Sequence, residues 1–390
     1  MRKFLLATTA MAAVAGFTSA ANAQLTVTLG GYTEFFAAIY DNNLPGGTER
    51  EFELETEIVV KADGKADNGL LYGAKVELQN SVPTLSSTGV GTDEASVYVG
   101  GNWGRFDLGD EDGVADRMAI YAPLVGVEGI DGDYGDFVNV TVPAGNGTRT
   151  GLNLGRQPWG APSTGAAKAP DSGDATKIGY VTPRFAGIQL GFSYAPENAS
   201  EAQDVVSLKN SASYSDFLEF GINYTGEFSG FTVAASATGT NGNGRNASVT
   251  APALKDFTAW QVGARVGYGD FKLGGGYVDA GNFNVPVGTD SGDQHSWNVG
   301  ATYTAGPIAV GVSYLDAEGY KAAAVFGTGT YADSYQAYGL SAAYTVAPGF
   351  ILQSDLMFLN EELKRNPVAA ASTKVDNDGY VWLVSTRLNF

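Results

Sequence analysis

Hydrophobic and polar positions alternate with a period of two along most of the chain. In "EREFELETEIVVKA" (residues 49 to 62), Glu49, Glu51, Glu53, Glu55 and Glu57 take every second place, with Phe52, Leu54, Ile58 and Val60 between most of them. A strand sends successive side chains to opposite faces. This segment therefore has a carboxylate face, its glutamates ~7 Å apart, and an apolar face. The first strand, over 25–40, sets Leu25, Val27, Leu29, Phe35 and Ile39 against Thr26, Thr28 and Glu34. After the glutamate row, Leu70, Tyr72, Ala74, Val76 and Leu78 oppose Lys75, Glu77 and Gln79. Ala95, Val97 and Val99 follow, then "GGNWG", then Phe106 and Leu108 with Arg105 and Asp107 opposite.

Later hairpins repeat the rule. Ile178 and Tyr180 lead through "TPRFAG" to Ile188, Leu190, Phe192 and Tyr194. Trp260, Val262, Ala264, Val266 and Tyr268 turn at Gly269-Asp270 into Phe271, Leu273, Gly275 and Tyr277. Trp297 to Tyr303 turns at "AGP" into Ile308 to Tyr314, and the last strand carries Trp382, Val384, Thr386, Leu388 and Phe390. The pattern predicts about sixteen strands, an even number as a single-chain bacterial barrel requires.

An antiparallel soluble sheet with one wet face accounts for any one of these strands. It does not account for the series. Very short turns alternate with long polar stretches at 196–215, 239–256, 280–294 and 360–378, the asymmetry of periplasmic turns and extracellular loops. Aromatics bracket the apolar face, and Trp260 to Tyr268 spans about 20 Å of height at a tilt of roughly 40°. The opposite face is Gly, Ser, Gln and charge, which cannot pack as a second hydrophobic layer. The expectation is an all-β fold: a transmembrane antiparallel β-barrel with an apolar outside and a wet inside.

Composition narrows this further. Arg2 and Lys3, then "FLLATTAMAAVAGF", then "ANA" up to Ala23 form the pattern of a cleaved secretory signal peptide over 1–23, leaving a single domain over 24–390. Without Arg2 and Lys3, 21 basic residues face 42 acidic ones, the wrong sign for a nucleic-acid partner. Cysteine is absent and histidine occurs once, so disulfides, thiolate metal sites and a cysteine nucleophile are excluded. No later apolar run is long enough for a helical span. The 53 glycines fit sheet and turn rather than packed helices.

Three stretches carry a resemblance to a known family. "VYVGGNWGRFDLGDEDG" (97 to 113) and "TKIGYVTPRFAGIQLGFSYAPE" (176 to 197) resemble the hairpins on either side of the third loop in Gram-negative general porins, particularly the alphaproteobacterial branch. The terminal "VWLVSTRLNF" resembles that family's last strand. The resemblance implies a homotrimeric sixteen-stranded outer-membrane diffusion channel, surrounded by lipid, with the third loop folded into the lumen as a constriction. The matching segment runs from about 110 to 175. Two departures remove positive charge: Leu108-Gly109-Asp110 stands where the family usually has Leu-Gly-Arg, and the second strand carries glutamates where arginines are common.

The loop's carboxylates, Asp110, Glu111, Asp112, Asp116, Glu128, Asp131, Asp133 and Asp136, are the acidic constriction candidates, set against Arg117. Clustered carboxylates in a low-dielectric constriction concentrate cations. By parity Glu51, Glu53, Glu55 and Glu57 line the wall, where each stays hydrated; facing lipid would cost each several kcal/mol. Lys75, Arg105, Lys177, Arg265, Lys272 and Arg387 are the basic wall candidates for the transverse field that the resemblance implies. The reading is passive diffusion of ions and small hydrophilic solutes with a cation preference. It requires no cofactor. Asp131, Asp133 and Asp136 in "DGDYGDF" also offer the hard oxygen ligands of a Ca²⁺ site, without matching the twelve-residue calcium loop.

Two alternatives stay open. A sugar-selective channel would show inward aromatics, and Tyr32, Phe36, Tyr40 and Tyr98 fall inward; a surface adhesin would use the long loops. Catalysis has only His295 beside Asp293 and Ser296, with no nucleophile elbow, so no enzyme is expected.

Overall fold

The computed structural model describes residues 25–42, 49–80, 90–126, 129–130, 132–137, 140–141, 153–154, 167–198, 213–245, 253–288, 294–318, 330–365 and 374–390. The 1–23 segment lies outside them. The chain opens with β1 (Thr26–Asn42), β2 (Arg50–Lys65), β3 (Leu71–Asn80), β4 (Val90–Gly101) and β5 (Gly104–Asp110). Two single-turn helices follow, α1 (Val114–Arg117) and α2 (Tyr134–Phe137), then a small ladder of β6 (Val140–Thr141) with β7 (Asn153–Leu154). The series resumes with β8 (Thr176–Val181), β9 (Ile188–Glu197), β10 (Tyr214–Phe228), β11 (Phe231–Gly244), β12 (Phe257–Tyr268) and β13 (Phe271–Asp279). It ends with β14 (His295–Ala305), β15 (Ile308–Glu318), β16 (Thr330–Ala347), β17 (Phe350–Arg365) and β18 (Lys374–Asn389).

All but β6 and β7 form one closed antiparallel barrel of sixteen strands, each paired with its sequence neighbours in the wall. β18 returns to β1, with Tyr32 opposite Asn389 and Asn42 opposite Gly379. Phe390 and Gly31 exchange both backbone hydrogen bonds at 3.0 Å. Closure leaves no unpaired strand edge, the condition for a sheet to sit in hydrocarbon.

Side-chain parity follows the alternation. Phe52 and Leu54 are 72% and 51% exposed on the outer face, while Glu53 and Glu55, alternating with them, are partly covered inside. Aromatics band the outer surface at two levels. Trp260 pairs with Tyr277 (5.4 Å), and Trp297 and Tyr338 flank Tyr314 at 4.9 and 4.7 Å. Near the short turns, Phe231 meets Tyr268 and Phe271 meets Tyr303, both at 4.6 Å. Such rings suit the two interfaces of a bilayer, with the apolar belt between.

The strands extend further at the long-loop end than hydrophobicity alone suggested. β11 continues past residue 239, β17 passes 360, and β18 begins before 378. Apolar alternation stops where the lipid stops, but backbone pairing does not need it: Asn241 and Gly242 still pair with Thr258 and Phe257.

Leu340 tests the outer face. It is exposed between Val312 and Leu356 on neighbouring strands. Leu340→Arg is expected to lower folding stability in phospholipid vesicles by about 2–4 kcal/mol, read from urea titrations of tryptophan fluorescence. An unshifted midpoint would place that face away from lipid.

Candidate functional site

The described residues between β5 and β8, chiefly 111–126, 132–137 and 167–175, do not project from the barrel. They run along the inner wall, and the wall is built to receive them. Glu219 on β10 is 1% exposed and takes the Ala115 amide (3.1 Å) and the Ser172 amide (2.9 Å) on its two oxygens. Ser193 on β9 accepts from the Val114 amide at 3.0 Å and donates to Glu219 at 2.9 Å. The first amides of α1, which have no partner within a single helical turn, are thus satisfied by the wall.

Further along, Ser236 Oγ accepts from the Ile120 amide (2.8 Å), and Gln261 donates to the Ile120 carbonyl (3.2 Å). Arg265 donates to the carbonyls of Tyr121 (2.9 Å) and Ala122 (3.3 Å). Asn298 accepts from the Ala122 amide (2.8 Å) and Gln353 donates to the Val125 carbonyl (2.9 Å). At the far side Tyr134 of α2 meets Tyr335 of β16 (3.2 Å), and Phe137 packs on Phe36 and Tyr40 of β1, both at 6.4 Å.

Glycine makes room for this. Gly191 and Gly221 face each other on β9 and β10, and a β-carbon at either would stand 2.6 Å from the sulfur of Met118. A β-carbon at Gly263 would overlap the Ile120 carbonyl oxygen. Inward glycines therefore mark the track on which the loop lies.

Most of the loop's early carboxylates face the wall. Asp110 accepts from Thr176 (2.5 Å) and Glu111 from Ser96 (2.6 Å); both are buried. Lys75 sits among Glu94, Glu77 (3.2 Å) and Glu111 (3.0 Å). Lys177 donates to the carbonyls of Glu111 and Gly173. Asp107 holds both Arg105 (2.6 Å) and Arg117 (3.0 Å), and Arg105 lies over the Tyr98 ring. Arg387 pairs with Glu34 (3.0 Å) over the Tyr32 ring. The basic wall residues are therefore not free charges standing across an opening. Lys75, Arg105 and Arg387 pair with wall carboxylates, while Lys177 and Arg265 clamp loop backbone.

Carboxylates crowd one another elsewhere. Asp112, Asp116 and Asp171 place oxygens within 4.8 Å of each other, as do Glu94, Asp112 and Asp174, and Glu57, Glu77 and Asp93. These spacings would let a proton or a hard cation be shared. Lys168 supplies one counter-charge to Asp116 at 2.6 Å. Burial, and then the charges of Asp116, Glu219 and Asp112, push the Asp171 carboxyl well above the usual carboxylate range, against the pull of Lys168.

A raised value means that the docked loop holds this proton more tightly than an undocked one. Its contribution to docking is full below the ordinary carboxylate pKa and is lost as pH rises through the raised value. Open-channel noise is therefore expected to grow as pH rises above the ordinary carboxylate range in EDTA-buffered recordings, and Asp171→Asn to flatten that dependence. Equal noise across the range would refute the docking role of this proton.

Around β1 and β2 the arrangement is acidic on both sides. Glu55 accepts from Tyr32 and from Gln79 (3.2 Å), and Asp133 of the loop lies within electrostatic range of Glu34 and Glu55. Glu51, Glu53 and Glu57 share the Glu55 face of β2. Glu128, Asp131 and the Asp136 side chain lie outside the described residues, so two of the three proposed calcium ligands do as well.

A barrel wall closed on itself, apolar outside and lined by an inserted third loop, fixes the architecture. In sequence, residues 7–362 match the family described as Gram-negative porin. The chain belongs to the Gram-negative porin family. Among solved structures it is similar to mutants of the Rhodopseudomonas blastica porin. A triple mutant is 17% identical, with a TM-score of 0.56 over 93% of this chain and 100% of that one. Two other multiple mutants of the same porin have identities of 15% and 16% and TM-scores of 0.56 and 0.55 over the same shares. At such identities the likeness speaks for the fold. No curated protein matches the sequence.

The protein is thus an outer-membrane porin, a channel of a family known for passage rather than catalysis. Two sequence alternatives meet the porin's geometry directly. His295 lies on β14 against Tyr277 (6.1 Å) and 3.9 Å from Glu318, while Ser296 points to the other side, into the lumen; the two diverge as adjacent strand residues do, and Asp293 lies outside the described residues. Tyr32, Phe36 and Tyr40 do face inward, but Phe137 covers Phe36 and Tyr40, and Arg387 covers Tyr32. These rings anchor the loop and an ion pair instead of forming an open aromatic slide for sugars.

Proposed function

We propose that this porin passes small hydrophilic solutes with a preference for cations, and that it does so as a homotrimer of exported chains. The observation that carries the ion preference is the unbroken inward row of Glu51, Glu53, Glu55 and Glu57, joined from the loop by Asp133. Carboxylates on both sides of a narrow aqueous passage raise the local concentration of cations and exclude anions.

The trimer and the cleavage after Ala23 rest on family membership and on the leader-like composition of 1–23. Intact mass of the outer-membrane protein is expected to begin at Gln24.

The deciding experiment for selectivity is the zero-current potential in a planar bilayer under a KCl gradient. A potential with K⁺ as the main carrier supports the reading. Neutralising the row with Glu51→Gln, Glu53→Gln, Glu55→Gln and Glu57→Gln together is expected to lower the K⁺/Cl⁻ permeability ratio about threefold or more. Anion selectivity of the native protein would refute the preference while leaving the channel.

A further inference from the structure

The lumen charges segregate along the barrel axis as well as across it. Lys61, Lys75, Arg105, Lys177, Arg265 and Arg387 each lie within five residues of the short-turn end of their strand. Lys272 does too. Lys61 and Lys75 stand directly opposite each other on β2 and β3. Among the described strand side chains, no inward-facing base lies nearer the long-loop mouth.

Inward carboxylates show the reverse. Glu34, Glu57, Glu94 and Glu219 lie at least seven residues from the short-turn end of their strands and Glu77 six, and Glu55, Glu53 and Glu51 climb further toward the long loops. Asp63, Asp107, Glu227 and Asp355 share the short-turn half, where they are outnumbered by the bases.

The two zones meet at ion pairs, Lys75 with Glu77 and Glu94 and Arg387 with Glu34, and separate beyond them. Glu55 and Lys61 are six residues apart on β2, ~20 Å along the strand. That exceeds the Debye length of ~10 Å at 0.1 M salt, so each zone sets the ion population beside it largely independently of the other. The inserted loop lies at the junction. Its Ile120 carbonyl rests against Gln261 and Gly263, midway along β12.

We propose that this axial arrangement makes the porin a rectifier, conducting better when the long-loop side is positive. With that polarity, cations enter through the acidic half while anions enter through the basic half, and both accumulate at the loop. The opposite polarity draws both away from the junction and depletes the narrowest section of carriers. The inference rests on an open channel but not on which ion dominates, since the current ratio and the zero-current potential are separate measurements.

The test is single-channel current at equal and opposite voltages in symmetric KCl. Orientation is set by Asp270→Cys in the short turn between β12 and β13, labelled from one side with a bulky membrane-impermeant thiol reagent; the chain has no other cysteine. At 0.1 M KCl the current with the long-loop side positive is expected to be about twice that at the opposite polarity. At 1 M KCl, where the Debye length is ~3 Å, the ratio should fall to about one. The fourfold glutamate-to-glutamine protein should lose most of the asymmetry at 0.1 M. Equal currents at 0.1 M, or a larger current with the long-loop side negative, would overturn the proposal even with selectivity intact.

Discussion

Lys75→Met is expected to weaken the barrel wall beside the loop more than any other single lumen substitution considered above. Lys75 is the shared counter-charge of Glu77 and Glu94 on the wall and Glu111 on the loop, and all four side chains are largely removed from water. The replacement keeps the volume and deletes the positive end. Removing one member of a buried ion pair costs about 3–5 kcal/mol, because the remaining charge keeps its desolvation penalty without its partner. Thermal loss of native barrel mobility on cold SDS gels should shift to markedly lower temperature. Lys75→Arg should restore most of the loss, since it returns the charge at slightly altered reach. A methionine variant melting with the native protein would mean that these carboxylates are already solvated or protonated.

Glu219→Ala should free the loop without touching the apolar belt. Two loop amides, Ala115 and Ser172, and the Ser193 hydroxyl converge on this carboxylate. An amide left buried and unpaired costs about 1–3 kcal/mol, so the docked position loses several kcal/mol at one stroke. The loop occupies lumen cross-section, so single-channel conductance in 1 M KCl should rise and become noisy. Glu219→Gln keeps one carbonyl acceptor and should fall between. Unchanged conductance in the alanine protein would show that the wall glycines and the Gln261, Arg265 and Asn298 contacts suffice to seat the loop.

Parity carried the sequence reading a long way. The strand number, the inward glutamate row and the outward aromatics all follow from a period of two that lipid on one side and water on the other impose. The loop was legible only as a long interval rich in carboxylates. What each carboxylate does depends on partners far away in the chain. Glu219 and Ala115 are 104 residues apart, and Gln353 and Val125 are 228 apart. Neither Glu219 nor Gln353 stood out in sequence. The available signal was a polar side chain at an inward position beside an inward glycine: Glu219 next but one to Gly221, Gln261 next but one to Gly263. Asp110 and Glu111 show the opposite error. Charge density suggested an opening, whereas Thr176, Ser96 and Lys75 hold them against the wall.

The seam between β1 and β18 constrains how the chain reaches its native state. The strands that close the barrel are the first and last of the sixteen, and Phe390 exchanges two hydrogen bonds with Gly31. No closed cylinder can exist until β18 has been made, so every earlier strand must wait with a bare edge. Contacts of such separation make folding slow and leave intermediates prone to aggregation. The loop must wait longer still, since its anchors reach from β9 to β17. Refolding in vesicles should therefore show conductance block by the loop as a later phase than barrel closure.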